Sequence, residues 1–240
     1  MNERDNIIAM IPARIGSTRL KMKNLALLNG QPMIAYAIEA AKASGVFSRI
    51  VVNSDNDVFA EIAKRHGVEF YLRPLELGSS NAKSDNVVYD FMLKHKADIT
   101  VWVNPISPLQ TGDEIREIID YFVMNKLDTL ITVKKEYVHS VYENNPVNFN
   151  KDDKFAKTQD LEPVQTFVYS IMMWKSKPFV KSMKDKGYAF FLGKVGYYPV
   201  SKLTSIIVKT SADLKLIEFI LKSKQMINED FLYDEVVHRL

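Results

Sequence analysis

Ile7-Ile8-Ala9-Met10-Ile11-Pro12-Ala13-Arg14-Ile15-Gly16-Ser17-Thr18-Arg19-Leu20-Lys21-Met22-Lys23-Asn24 is the stretch whose reading decides the fold. Its first five residues are apolar on both faces, as a central parallel strand must be, because helices cover both sides of such a sheet. The run then gives way to a polar loop, Ala13 to Lys23, with one glycine, two hydroxyls and the cations Arg14, Arg19, Lys21 and Lys23. A loop leaving the carboxyl end of a parallel strand lies where open α/β folds bind ligands. Backbone N–H groups of a small-residue loop can cradle phosphate oxygens, and Arg or Lys can neutralise their charge. The spacing is neither G-x-G-x-x-G nor G-x-x-x-x-G-K-[ST], which excludes the dinucleotide fingerprint and the P-loop. By composition alone, a solvated basic surface loop accounts for these residues equally well.

Outward from this stretch the chain repeats a strand-then-helix rhythm. Pro32 to Ser44 sets Ile34, Ala37, Ile38 and Ala41 at helical spacing, with a proline at the start and Gly45 past the end. Arg49 to Asn53 reads as a strand, Asp55 to Arg65 as a helix stopped by Gly67, and Val68 to Leu72 as a strand. Ser84 to Lys94 reads as a helix, Asp98 to Val103 as a strand, Asp113 to Met124 as a helix and Asp128 to Val133 as a strand. Repeats at intervals of roughly 30 residues predict right-handed βαβ crossovers with helices on both faces. The expected fold is a three-layer α/β/α sandwich around a mostly parallel, Rossmann-like sheet, in one domain over residues 1–240.

The rhythm breaks at Lys134. Residues 134–166 are charged and asparagine-rich and read as an inserted lobe, flanking a site or reaching toward a second subunit, because long structureless loops are unusual inside compact domains. Phe167 to Trp174 returns to the core, and Ser205 to Val208 reads as a last buried strand. Ser211 to Lys222 and Glu229 to His238 read as closing helices. Met172-Met173-Trp174 and Tyr197-Tyr198 are expected to pack in a core or against a subunit.

Composition narrows the function. The chain is 47% apolar with both charge signs scattered along it, which supports a globular core and excludes a disordered or fibrous chain. A formal net charge of +3 without a basic stripe argues against a nucleic-acid partner. The absence of cysteine removes disulfides, a thiol nucleophile and thiolate metal sites. The histidines at 66, 95, 139 and 238 lack H-x-x-H spacing and read as structural or solvated, and no G-x-S-x-G elbow occurs. The polar N-terminus lacks the layout of a signal peptide, and no apolar run reaches the length of about 18 residues that a membrane span needs. A soluble cytoplasmic protein without a membrane partner is the expectation.

Four segments in order carry more. Pro12-Ala13-Arg14, Gly16-Ser17 and Lys23-Asn24 follow a P-A-R-x-G-S pattern with K-N five residues on. Arg73-Pro74, Leu77 and Ala82-x-Ser84 form the second segment, Pro105-Ile106-Ser107-Pro108-Leu109 the third and Gln159-Asp160-Leu161 the fourth. Together they resemble the sugar-acid cytidylyltransferases, which make CMP-sialic acids from CTP; Ser17 to Leu20 is also similar to the 3-deoxy-octulosonate cytidylyltransferases. The resemblance implies a sandwich of the nucleotide-diphospho-sugar transferase type, CTP and an acidic sugar as substrates, and a homodimer joined through the inserted lobe. It further implies that Ala13, Arg14, Gly16, Ser17 and Lys23 hold the triphosphate, with Arg14 and Lys23 acting on the reacting phosphates. Asn24, Arg73 and Ser84 would read cytosine and ribose, and Asn104, Ser107 and Gln159 would face the sugar. In the family the sugar's anomeric hydroxyl attacks the α-phosphorus and pyrophosphate leaves, a reaction served mainly by alignment and charge neutralisation.

The pattern departs from the family at one place of consequence. The family's last strand ends I-D-I-D-T, with two aspartates for the divalent cation, whereas this chain has Ile206-Ile207-Val208-Lys209-Thr210, in register through Thr210, Asp213 and Leu214. An aliphatic group offers magnesium no oxygen, and a lysine repels it. The asparagine-glycine pair expected after the fourth segment is also replaced, by Phe167-Val168-Tyr169-Ser170. Two accounts follow. In one, the chain is a nucleotidyltransferase in which the Lys209 ammonium supplies part of the cation's charge, and Mg2+ rides on the triphosphate with Asp213 or Asp55 as a remaining ligand. In the other, it is a catalytically degenerate protein that binds a sugar nucleotide without turnover. Asp55 itself, in Asn53-Ser54-Asp55-Asn56-Asp57, is expected as a helix N-cap or as a ribose or metal contact.

Overall fold

The computed structural model describes residues 6–17 and 19–223. β1 (Ile7–Ala13) runs into the polar loop, a single 3-10 turn at Lys23–Leu25, and a small hairpin of β2 (Leu27–Leu28) and β3 (Gln31–Pro32). Then come α1 (Met33–Ser44), β4 (Arg49–Ser54), α2 (Val58–Arg65), β5 (Glu69–Leu72), a 3-10 turn at Leu75–Gly78 and α3 (Ser84–Lys94). β6 (Ile99–Val103), α4 (Gly112–Met124) and β7 (Thr129–Glu136) complete the regular alternation. The remainder comprises β8 (Val141–Tyr142), β9 (Asn145–Pro146), a 3-10 turn at Thr158–Asp160, β10 (Val164–Lys175), α5 (Ser176–Lys186), β11 (Val195–Pro199) and α6 (Ser211–Ser223).

Seven strands form one sheet in the order β11-β7-β10-β6-β1-β4-β5. β1 pairs in parallel with β4 and β6, and β5 and β11 lie parallel to β4 and β7, while β10 is antiparallel to both of its neighbours. The central position of β1 follows from its composition, because both faces are buried. Ala9 and Ile11 join the core under α1, α2 and α4, and Ile8 and Met10 join the one under α3 and α5. Each large side chain so enclosed contributes about 1.5–3 kcal/mol relative to exposure. α1 ends at Gly45 in a left-handed conformation, φ 66°, as the sequence expects of a C-terminal glycine. α4 starts against α1 so closely that a β-carbon on Gly112 would fall 2.7 Å from the Ala43 carbonyl carbon.

The second half departs from the sequence reading in four places. Ser205 to Val208 is not a strand; it is irregular backbone, apolar because Val208 fills a small separate core with Leu28, Met33, Leu109 and Ile217. The last strand is β11 instead, whose glycine and proline argue against a central strand but suit the sheet edge where it lies. α5 was not apparent in the sequence, since it turns only Ser176, Phe179, Ser182 and Met183 inward and is otherwise rich in lysine. Finally, the strands do not stop at Val133 or resume at Phe167: β7 and β10 extend past the sheet as an antiparallel ribbon, Val164 opposite Glu136, and the β8–β9 hairpin lies between them. The expected helix at Glu229 to His238 lies outside the described residues. Among those described, no helix is long and apolar enough to cross a membrane.

Candidate active site

The carboxyl ends of β1, β5 and β6 open onto a cavity of about 240 Å³. The end of β1 and its loop supply Pro12, Ala13, Arg14, Ser17, Lys23 and Asn24 to its wall. Asn24 is buried within the 3-10 turn, which the left-handed Met22, φ 47°, allows the loop to enter. The opposite wall is Arg73, Leu77, Ser79, Ala82 and Ser84, where the chain leaves β5 and starts α3, with Val87 one turn into that helix. The end of β6 gives Trp102, Asn104 and Ile106. The first three sequence segments therefore converge on one space.

Electrostatics give the loop side its character. Burial, with Arg19 and Arg14 adding repulsion, lowers the Lys23 pKa from the ordinary lysine value. Its ammonium donates to the Val208 carbonyl at 3.2 Å. Among the described residues, no ion pair engages Arg14, Arg19, Lys21 or Lys23. Like charges crowded without a counter-ion are a standing attraction for a polyanion. Arg73 is held differently. Its amide donates to the Ser54 carbonyl at 2.8 Å and its Nη1 to the Asn53 carbonyl at 2.9 Å, which aims the buried guanidinium along the cavity wall. Burial lowers its pKa, Asp55 raises it in part, and Arg14 lowers it further. Arg73 Nε and Trp102 Nε1 are buried donors without a partner. Unsatisfied donors in a polar cavity are what acceptors of a bound ligand would complete.

Not every candidate residue reaches this space. Gly16 is exposed on the loop and outside the lining. Ser107 is buried behind the turn with its hydroxyl unpartnered, and Gln159 is exposed on the 3-10 turn of the lobe. Lys209 is exposed and absent from the lining. Asp213 Oδ2 accepts from the amides of Lys209 and Thr210 and from the Thr210 hydroxyl, at 2.9, 2.7 and 2.9 Å. With Asp213 N donating back to Thr210 Oγ1, this is a capping box at the start of α6. Asp55 is not among the lining residues and does not cap α2, which starts without a side-chain cap; the Val58 amide donates to Asn56 Oδ1 in a local turn. Trp102 and Ser79 are lining residues that sequence reasoning passed over, and for Trp102 a signal existed. Strand alternation was the available signal, since Val101 and Val103 face the opposite core.

The model of the family described as Cytidylyltransferase matches residues 8–236. The chain belongs to the cytidylyltransferase family. An N-acylneuraminate cytidylyltransferase from Streptococcus agalactiae serotype V is 28% identical over 215 residues, covering 86% of this chain and 51% of the relative. The post-translational flagellin modification protein B of Campylobacter coli is 27% identical over 237 residues, covering 94% of this chain and 99% of the relative. Thus the chain spans about half the length of the streptococcal relative and nearly all of the Campylobacter one. A solved CMP:2-keto-3-deoxy-manno-octonic acid synthetase complexed with CTP shares the fold, with a TM-score of 0.70, 14% identity and coverage of 91% of this chain and 99% of the other.

In this chain the residues near the expected cation position do not fit a protein-held metal. Ile207 packs against the core and carries no donor, Lys209 is cationic and beside Asp213, Asp213 spends its Oδ2 on the capping box, and Asp55 is engaged with Ile15 and Arg73. Among the described residues no three His, Asp or Glu side chains gather in a metal-holding group. No step is therefore derived through a protein-bound cation.

Proposed function

We propose that this chain transfers CMP from CTP to the anomeric hydroxyl of a nonulosonic, sialic-acid-like sugar and releases pyrophosphate. The observation that carries the reading is the meeting of Arg14, Ser17 and Lys23 with Asn24, Arg73 and Ser84 around one rim cavity. Arg14 and Lys23 supply fixed positive charge to the triphosphate, and Ser17 a hydroxyl donor. Arg73 and Asn24 offer donors suited to the O2 and N3 acceptors of cytosine. The sugar oxygen bonds to the α-phosphorus, its proton is released, and the α–β bridging P–O bond breaks as charge gathers on the departing pyrophosphate. Cations already in place at that charge need no reorganisation during the step, which is where electrostatic catalysis is strongest. Magnesium, in this reading, arrives on the nucleotide phosphates rather than on chain carboxylates. Family membership supports turnover over a degenerate binding scaffold.

The acceptor class rests on the relative named N-acylneuraminate cytidylyltransferase. We also propose that residues 134–166 join two copies in a homodimer, because Tyr137, Val141, Tyr142 and Phe155 are exposed apolar side chains on that lobe. Use of CTP fits a cytoplasmic location. The test is pyrophosphate release from CTP with magnesium or manganese and a panel of sialic, legionaminic, pseudaminic and octulosonic acids. Release with at least one nonulosonic acid is expected; release with none overturns the reading.

A further inference from the structure

We infer that Asp55 is a positioning residue whose buried carboxylate sets the spacing between the phosphate side and the base side of the cavity. The inference rests on the nucleotide reading above. Asp55 follows β4 directly, and its side chain and that of Arg73 are only 5% and 4% exposed. Its Oδ1 accepts from the amide of Ile15 at 3.2 Å, the residue next to Arg14 in the phosphate loop. The same oxygen lies 3.8 Å from Arg73 Nη2 on the base-side wall. Oδ2 presses on Gly78, where any β-carbon would overlap it, and Gly78 closes the 3-10 turn that presents Leu77 to the cavity. One carboxylate thus touches three separate pieces of chain that carry the two walls.

The expected helix cap is not its role, because α2 starts after Asp57 without a side-chain cap and the Asp55 carboxylate accepts from the Ile15 amide instead. A metal ligand does not fit it either, since Oδ1 already accepts from the Ile15 amide and the Ser54 hydroxyl beside the Arg73 guanidinium, and Oδ2 lies against Gly78. What remains is geometric. A nucleotide must reach from Arg14 and Lys23 to Arg73 and Ser84, so its affinity depends on the gap that Asp55 fixes, and small misplacements of such groups carry large penalties.

Three variants test this against a purely structural salt bridge. Asp55→Ala removes all three contacts. Asp55→Asn keeps the shape and an acceptor for the Ile15 amide. Gly78→Ala pushes on the same carboxylate from the other side without altering a charge. Asp55→Ala and Gly78→Ala are expected to raise KM for CTP, and Kd measured by calorimetry, by about tenfold or more while kcat changes less. Asp55→Asn is expected to recover most of the loss. If Asp55→Ala does not fold, Gly78→Ala and Asp55→Asn carry the comparison. Unchanged CTP affinity in Gly78→Ala, or in Asp55→Ala where it folds, overturns the inference, as does a loss of kcat alone that added magnesium repairs. CTP binding by the parent chain without pyrophosphate release refutes the catalytic reading and leaves the inference testable by Kd. No CTP binding by the parent chain overturns both.

Discussion

The loop after β1 and the segment leading into α6 stand on the same rim and are joined by one hydrogen bond, from the Lys23 ammonium to the Val208 carbonyl. They use their charged residues in opposite ways. In the loop, Arg14 and Lys23 line the cavity without an acidic partner among the described residues, and burial already strains the Lys23 charge. In the later segment, Asp213 is bonded three times over within its own helix start, and Lys209 faces solvent. A charged residue serves a ligand only where the fold has not already used its bonding capacity.

The largest effect should separate the two lysines. Lys23→Met is expected to lower kcat/KM for CTP by about 10²–10³-fold, the scale of losing one preorganised charge at a reacting phosphate. Lys209→Met is expected to change it by less than about threefold. Steady-state kinetics on the two variants decides; equal losses would erase the distinction between the segments.

A smaller effect lies in the pH dependence. The phosphate-binding form of Lys23 is the protonated one, and its pKa in the free chain lies below the usual lysine value through burial and then Arg19 and Arg14. On the alkaline side kcat/KM should therefore fall as pH rises through that lowered value. Lys23→Arg should move the descending limb to higher pH. Bound triphosphate favours the charged ammonium, so the limb for kcat should lie above that for kcat/KM.

The smallest effect on catalysis, but a clear one on stability, belongs to Asp213. Burial raises its pKa, yet the bonds from Lys209 and Thr210 and the Lys209 charge outweigh it and hold the carboxyl below its ordinary value. Its stabilising contribution is thus complete above the unfolded carboxylate pKa and is lost as pH falls through the lower folded value. Asp213→Ala should destabilise the fold by about 1 kcal/mol, seen as a lower Tm at neutral pH, with kcat/KM within about twofold of the parent. A large loss of activity at an unchanged Tm would return Asp213 to the reacting centre.

Much of this was legible in the sequence because it is local. Ile7 to Ile11 could only be a doubly covered strand, and the alternation through β7 repeats at spacings that fix helix and strand. β11 and α5 were not legible because an edge position and a neighbouring face explain them. Val195-Gly196-Tyr197-Tyr198-Pro199 is a poor strand until β7 lies beside it, and α5 hides few apolar residues. The candidate site divides in the same way. The cations stand out along the chain, and Asn24, Arg73 and Ser84 follow from what the resemblance of the ordered segments implies. The role of Asp55 does not, because it depends on what the carboxylate meets in space, Ile15, Arg73 and Gly78, whereas that of Asp213 rests on the local Thr210-x-x-Asp213 spacing of a capping box.

The central claim is that the loop after β1 holds the phosphate chain of a cytosine nucleotide. Calorimetric titration of CTP and CMP into the parent chain and Lys23→Met tests it most directly. The account expects CTP to bind the parent at least about tenfold more tightly than CMP, with that margin collapsing in the variant. Equal affinity for the two nucleotides, or a margin that survives the loss of Lys23, would contradict it.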